Sequence, residues 1–150
     1  MSPRNTVQKR VISEQLHALG NHPTVDEVYG AVRKLLPSIS KATVYRVLNG
    51  LAETGDALRV PVAGSAERFD HRVDPHFHVV CEICGHVEDV EETVLVGIDW
   101  DAVQSASGYR ITGHELQFSG VCPECMAQAA QAVQGALAGA AAGETPREDG

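Results

Sequence analysis

Two Cys-x-x-Cys pairs, Cys81/Cys84 and Cys122/Cys125, lie 37 residues apart and restrict the possible folds more than any other feature of this 150-residue chain. The stretch from Met1 to Thr6 is polar and offers no apolar signal core, and no apolar run approaches the ~18 residues of a membrane helix. A cytoplasmic location follows as the expectation, and in a reducing compartment thiolate–metal bonds are the default reading of such cysteines. Each pair falls where the pattern predicts a chain reversal. Two sulfurs from each reversal then reach one side of a tetrahedral ion at ~2.3 Å. Such a site has no open coordination position, so its role is structural. The alternatives are four reduced structural cysteines or a redox pair.

Periodicity divides the chain. Apolar residues recur at helical spacing three times: Val7, Val11, Ile12 and Leu16 from about Thr6; Val25, Val28, Tyr29, Val32 and Leu36; and Val44, Val47, Leu48 and Leu51. Thr24-Val25-Asp26-Glu27 reads as a capping box for the second helix, and Ser40 as the cap of the third. The link through Pro37 and Ser38 is short, as in a helix-turn-helix. Ala57–Val62 and Glu67–Asp70 then read as a hairpin around Ala63-Gly64-Ser65-Ala66. Three helices and a hairpin make a winged helix, whose third helix enters the major groove.

From His76 the period becomes two, with His76, His78 and Val80 on one face and Phe77, Val79 and Cys81 on the other. Gly85 turns the chain into a returning strand at His86–Val90. A short helix over Asp99–Ala106, strands at Tyr109–Thr112 and His114–Val121, and an Ala-rich helix from Pro123 to Leu137 complete the expectation. The fold class is α+β, an N-terminal winged helix-turn-helix followed by a small α/β domain. The boundaries are 1–69 for the winged helix, 70–75 for a hinge, 76–137 for the second domain and 138–150 for a disordered tail.

The net charge of −8 disfavours nucleic acid at first sight, but its placement does not. Residues 1–60 carry eight cations and five anions, a balance of +3, whereas the remaining 4 cations and 15 anions give −11. Phosphate attraction is local at physiological salt, so a basic front on an acidic chain suits a DNA-binding module. On helix three, Ser40, Lys41, Thr43, Tyr45 and Arg46 face away from the apolar stripe. Ser40 and Lys41 suit phosphate contacts, and Tyr45 and Arg46 suit base edges; an ordinary solvated helix face is the alternative.

A second constellation uses harder ligands. His76 and His78 share a strand face, Asp70 precedes them, Asp89 lies on the returning strand, and His22 sits upstream before helix two. Three imidazoles and two carboxylates suit Fe²⁺, Mn²⁺ or Zn²⁺, with the carboxylates favouring iron or manganese. Taken singly, each of these is as well read as a solvated surface group. An enzyme is not expected: five protein ligands leave little room for substrate, and no separate acid/base pair is evident.

The segments His22-Pro23-Thr24, Ala42-Thr43-Val44-Tyr45-Arg46, Arg68-Phe69-Asp70, His76 through Gly85 and Gly120-Val121-Cys122-Pro123-Glu124-Cys125 resemble, in order and spacing, the ferric uptake regulator (Fur) superfamily. The resemblance covers nearly the whole chain. It implies a homodimer with a C-terminal dimerisation domain, a zinc held by four cysteines in each chain, and a regulatory metal that locks the two domains into a DNA-binding pose. His22, Asp70, His76, His78 and Asp89 match the ligand pattern of its peroxide-stress branch, where iron sensors usually carry Glu at the last place. That likeness implies a repressor of double-stranded operator DNA, with one regulatory Fe²⁺ or Mn²⁺ per chain and peroxide as its only small-molecule signal. It also implies that iron and peroxide together oxidise a ligand histidine, His22 or His76, releasing metal and DNA. An iron- or zinc-responsive repressor without peroxide chemistry is the alternative. His114 looks like a remnant of a further metal site and reads as structural or solvated. The family's additional helix ahead of Thr6 is expected to be missing or reduced, and Tyr45-Arg46-Val47-Leu48 is closer to the iron-sensing pattern.

Overall fold

The computed structural model describes residues 3–91, 93, 97 and 99–141. Three helices open the chain: α1 (Pro3–Leu19), α2 (Val25–Leu35) and α3 (Lys41–Glu53). The capping box forms as read. The Thr24 amide donates to Glu27 Oε2 at 2.7 Å, and the Glu27 amide donates to Thr24 Oγ1 at 3.3 Å. Ser40 Oγ accepts from the Thr43 amide at 3.1 Å and starts α3. Ile12, Leu16, Val28, Val32, Val44, Leu48 and Leu51 meet in one buried cluster with Phe69. Val7 departs from the expectation and stays 43% exposed, one turn before the packed part of α1.

The wing is β1 (Leu58–Val60) paired antiparallel with β2 (Arg68–Asp70), Arg59 facing Phe69. The second half is a three-stranded sheet in the order β4–β3–β5. Here β3 (His76–Cys81) pairs antiparallel with β4 (Val87–Glu91) and parallel with β5 (Gln117–Gly120). Two helices, α4 (Trp100–Ser107) and α5 (Pro123–Ala141), flank the last strand in sequence. No helix among the described residues is long and apolar enough to cross a membrane.

Two strand expectations are corrected. Tyr109–Thr112 is not a strand, and the strand expected at His114–Val121 shrinks to Gln117–Gly120. The Tyr-Arg-Ile-Thr run has strand-forming residues, but propensity acts only where a partner backbone is available. β3 already has β4 and β5 on its two sides, and Tyr109 is left 74% exposed. The tail expected to be disordered from residue 138 is helical through Ala141, since alanine is the strongest helix former. Residues 142–150 lie outside the described residues.

The expected boundary at 69–76 is bridged by packing. Val60 and Val62 of the wing form a second buried cluster with Val80 and Val87 of the sheet. Gln117 Nε2 also donates to the Pro61 carbonyl at 3.1 Å.

Candidate metal centres

The four cysteines converge. Cys81 ends β3, and Gly85, at φ +71°, reverses the chain just after Cys84. Cys122 and Cys125 lie at the start of α5, just after β5. Their sulfurs lie within 4.8 Å of one another, and Cys84 Sγ is 3.7 Å from Cys122 Sγ. Tetrahedral bonds of ~2.3 Å require sulfur–sulfur edges of ~3.8 Å, so this spacing suits one ion. The Cys122 amide donates to Cys81 Sγ at 3.3 Å. That amide, with those of Cys84 and Ile83, outweighs burial and brings the Cys81 thiol down to about 6. The Cys122 thiol and burial push Cys125 up to about 12. One sulfur is thus prepared as a thiolate, while four thiolates this close need a cation among them.

Five harder ligands meet in a second cluster, again within 4.8 Å of one another. His78 faces Asp89 directly across the β3–β4 ladder, and His76 lies two residues earlier on the same face. Asp70 ends β2. His22 arrives on a loop in which Gly20, Asn21 and His22 all have left-handed backbone, at φ +55°, +45° and +52°. Asn and His tolerate this region better than most residues. The wing fixes the loop: Arg68 Nη1 donates to the His22 carbonyl at 3.0 Å, and the Phe69 amide donates to the Pro23 carbonyl at 2.9 Å.

Several polar atoms of this cluster are buried without a hydrogen-bond partner. His76 Nδ1 is 2.8 Å from the Asp74 carbonyl and donates to it, which leaves Nε2 as the ring nitrogen facing inward. That nitrogen lies 2.8 Å from Asp70 Oδ2 and 3.0 Å from His78 Nε2. His22 Nε2 is 2.8 Å from Asp89 Oδ1 and 3.5 Å from Asp70 Oδ2, yet neither His22 ring nitrogen nor Asp89 Oδ1 makes an aligned hydrogen bond. Buried polar atoms without hydrogen bonds are costly, and a metal or added protons would satisfy them. Burial opposes charge on Asp70, but His22 and His78 overcome it and hold the carboxyl well below the usual range. Burial likewise lowers His22, and Asp70 and Asp89 more than restore it, so its pKa is raised. Three imidazoles and two carboxylates fit a divalent ion in donor type.

The expected DNA face is partly committed to local structure. Ser40 and Thr43 hydroxyls meet at 2.9 Å in the α3 cap, and Lys41 pairs with Asp26 of α2. Tyr45 and Arg46 are exposed. His114 packs against Phe77, ring centroids 5.8 Å apart, and belongs to neither cluster. Sequence reasoning missed two arginines that serve the ligand set, Arg68 below His22 and Arg72 beside Asp89. In the sequence Arg68 stands only as part of the wing strand and of the Arg68-Phe69-Asp70 segment, and Arg72 only as part of the hinge; the density of charge from Arg68 to Asp74 was the available signal.

Comparison with known proteins identifies a family and relatives. The family model described as "Ferric uptake regulator family" matches residues 1–119. The peroxide-responsive repressor PerR of Staphylococcus saprophyticus is 34% identical over 122 residues, which span 81% of this chain and 82% of that protein. The crystal structure of the Campylobacter jejuni peroxide stress regulator is similar with a TM-score of 0.68 at 30% identity, covering 81% of this chain and 91% of that one. The Vibrio cholerae ferric uptake regulator is similar with a TM-score of 0.62 at 28% identity, over 77% of this chain and 88% of its own.

Proposed function

The chain belongs to the ferric uptake regulator family, and from that premise we propose that it is a homodimeric, metal-dependent repressor of transcription whose hold on DNA is released by peroxide. The observation that carries this reading is the mixed origin of the five-ligand cluster. His22 belongs to the winged-helix half, His76, His78 and Asp89 belong to the sheet, and Asp70 joins them. Cys81, Cys84, Cys122 and Cys125 hold a structural zinc in this reading, and the five-ligand cluster holds regulatory Fe²⁺ or Mn²⁺. A ligand shifts a conformational equilibrium only by binding its states unequally. Here the inequality is built in, since the full ligand set exists only when His22 reaches the sheet.

When bound, Fe²⁺ supplies an electron source for peroxide that Mn²⁺ does not readily provide. The chain's part is to orient and to respond. His76 is held by the Asp74 carbonyl with Nε2 inward, and His22 by its loop. The resemblance to the peroxide-stress branch makes these two imidazoles the candidates for oxidation. Loss of His22 as a ligand removes the tie between the halves, and loss of His76 weakens the hold on the metal that forms it. Asp89, where the family's iron sensors usually carry Glu, and the likeness to peroxide-responsive relatives support peroxide as the signal. Ser40, Lys41, Thr43, Tyr45 and Arg46 form the α3 face offered to operator DNA, and the cytoplasm is the corresponding compartment.

The test begins by selecting duplexes from a random pool with the Mn²⁺-loaded protein. Affinity for a selected duplex is then measured for Fe²⁺ and Mn²⁺ forms, with and without peroxide. The expected result is binding by both forms and peroxide-induced release of the Fe²⁺ form alone, with one oxygen atom gained on a peptide containing His22 or His76. Metal-dependent binding that peroxide leaves unchanged would instead assign the chain to plain iron or zinc sensing.

A further inference from the structure

Arg72 touches both carboxylates of the five-ligand cluster, and on the same side of each. Its backbone amide donates to Asp70 Oδ1 at 2.8 Å. Its guanidinium Nη1 reaches Asp89 Oδ2 at 3.4 Å. The oxygens left over, Asp70 Oδ2 and Asp89 Oδ1, are the ones that face the three histidines. The guanidinium is itself fixed. Nε and Nη2 fork onto Asp74 at 2.7–3.0 Å, and Nη1 and Nη2 fork onto Glu91 at 2.8 and 3.0 Å. Paired forks of this kind give geometric definition that a lysine ammonium does not.

We propose that Arg72 is a positioning residue that makes Asp89 present one oxygen, and not two, to the regulatory metal. The inference rests on the reading of the five-ligand cluster as a divalent-metal site. A carboxylate can bind a cation through one oxygen or both, and two-oxygen binding suits larger ions with higher coordination numbers. An outer oxygen occupied by a charged donor cannot turn inward without losing that contact. The Asp70 contact comes from the backbone and survives any side-chain change at position 72 other than proline. Of the two cluster carboxylates, substitution therefore releases only that of Asp89. Partners of metal ligands typically alter metal affinity by roughly 10–100-fold.

Removing a cation also strengthens the binding of every divalent ion, so affinity alone does not test the idea. That effect is common to Mn²⁺ and Co²⁺ and cancels in the ratio of their dissociation constants. The experiment measures both constants, by chelator competition on zinc-replete protein, for wild type, R72A and R72K. The Co²⁺ absorption spectrum serves as an independent readout of coordination number. The expected result is a shift of roughly tenfold in favour of Mn²⁺, the larger ion, in both variants. An altered Co²⁺ spectrum and an unchanged zinc content should accompany it. An unchanged ratio and spectrum in R72A would overturn the proposal. So would an R72K that behaves as wild type while R72A shifts, because charge without the fork would then suffice. D89A separates the two levels: if it binds Mn²⁺ as wild type does, the five-ligand site itself fails, and this inference with it.

Discussion

The two candidate metal centres differ in what they tie together. The four cysteines lie at or just after the ends of β3 and β5, all within the second half of the chain. The five-ligand cluster takes His22 from before α2, Asp70 from the wing and three ligands from β3 and β4. A cation in the first centre braces one domain and has no second state to choose. A cation in the second joins two halves, and so its binding can be felt elsewhere. The local chemistry matches the contrast: thiolates without an open position in one, imidazoles and carboxylates suited to exchangeable ions in the other.

Breaking the first centre should have the larger effect. Zinc binding to small thiolate sites is worth about 10–16 kcal/mol at neutral pH, which is as large as the whole stability of a typical domain. Cys84→Ser should therefore lose zinc, unfold the second half and abolish the dimer, as read by metal analysis and light scattering. A stable zinc-free dimer would end the distinction between the centres.

His22→Ala should do the opposite. Fold, zinc content and dimer stay intact, while the increase in operator affinity caused by Mn²⁺, expected at roughly 5–150-fold, disappears. An undiminished Mn²⁺ response would reduce His22 to a loop residue ahead of Pro23. Asp89→Glu sharpens the comparison within the second centre. DNA binding remains metal-dependent, but the rate of peroxide-induced release falls, since the added methylene moves a carboxylate already clasped by Arg72. Equal release rates would remove the argument from Asp89.

Thr24→Ala should have the smallest effect. Loss of the cap costs about 1 kcal/mol, seen as a lower Tm of the winged-helix half. It loosens the chain two residues from His22 and leaves the zinc content as it was. A loss of zinc in this variant would mean that the two centres are not independent.

What was legible in the sequence was what local spacing encodes. Both Cys-x-x-Cys pairs, the His76/His78 alternation, the Thr24–Glu27 box and the three helical stripes each declare themselves within a few residues. The five harder ligands could be gathered as candidates from residue type and strand spacing, but their match to a known ligand pattern came through resemblance, because nothing near His22 says that it meets Asp89. The missed features are non-local in the same sense. Tyr109–Thr112 has a strand's residues without a strand's partner, and Arg72 gains its role from Glu91 and Asp89, 19 and 17 residues away. The burial of Val60 and Val62 against Val80 and Val87 could not be read from four scattered valines.

That valine seam adds temperature to the behaviour of the switch. It joins the same two halves as the five-ligand cluster, but through apolar burial alone. Apolar burial stabilises less as water is cooled, and this dependence adds to whatever temperature dependence the ligation itself has. In the cold a larger share of closure falls to the metal, and at a fixed metal level fewer molecules are closed. On the proposed function, the metal concentration giving half-saturation of operator DNA should therefore rise on cooling by more than the metal–ligand bonds alone would dictate, and the set-point of the response would carry a reading of ambient temperature.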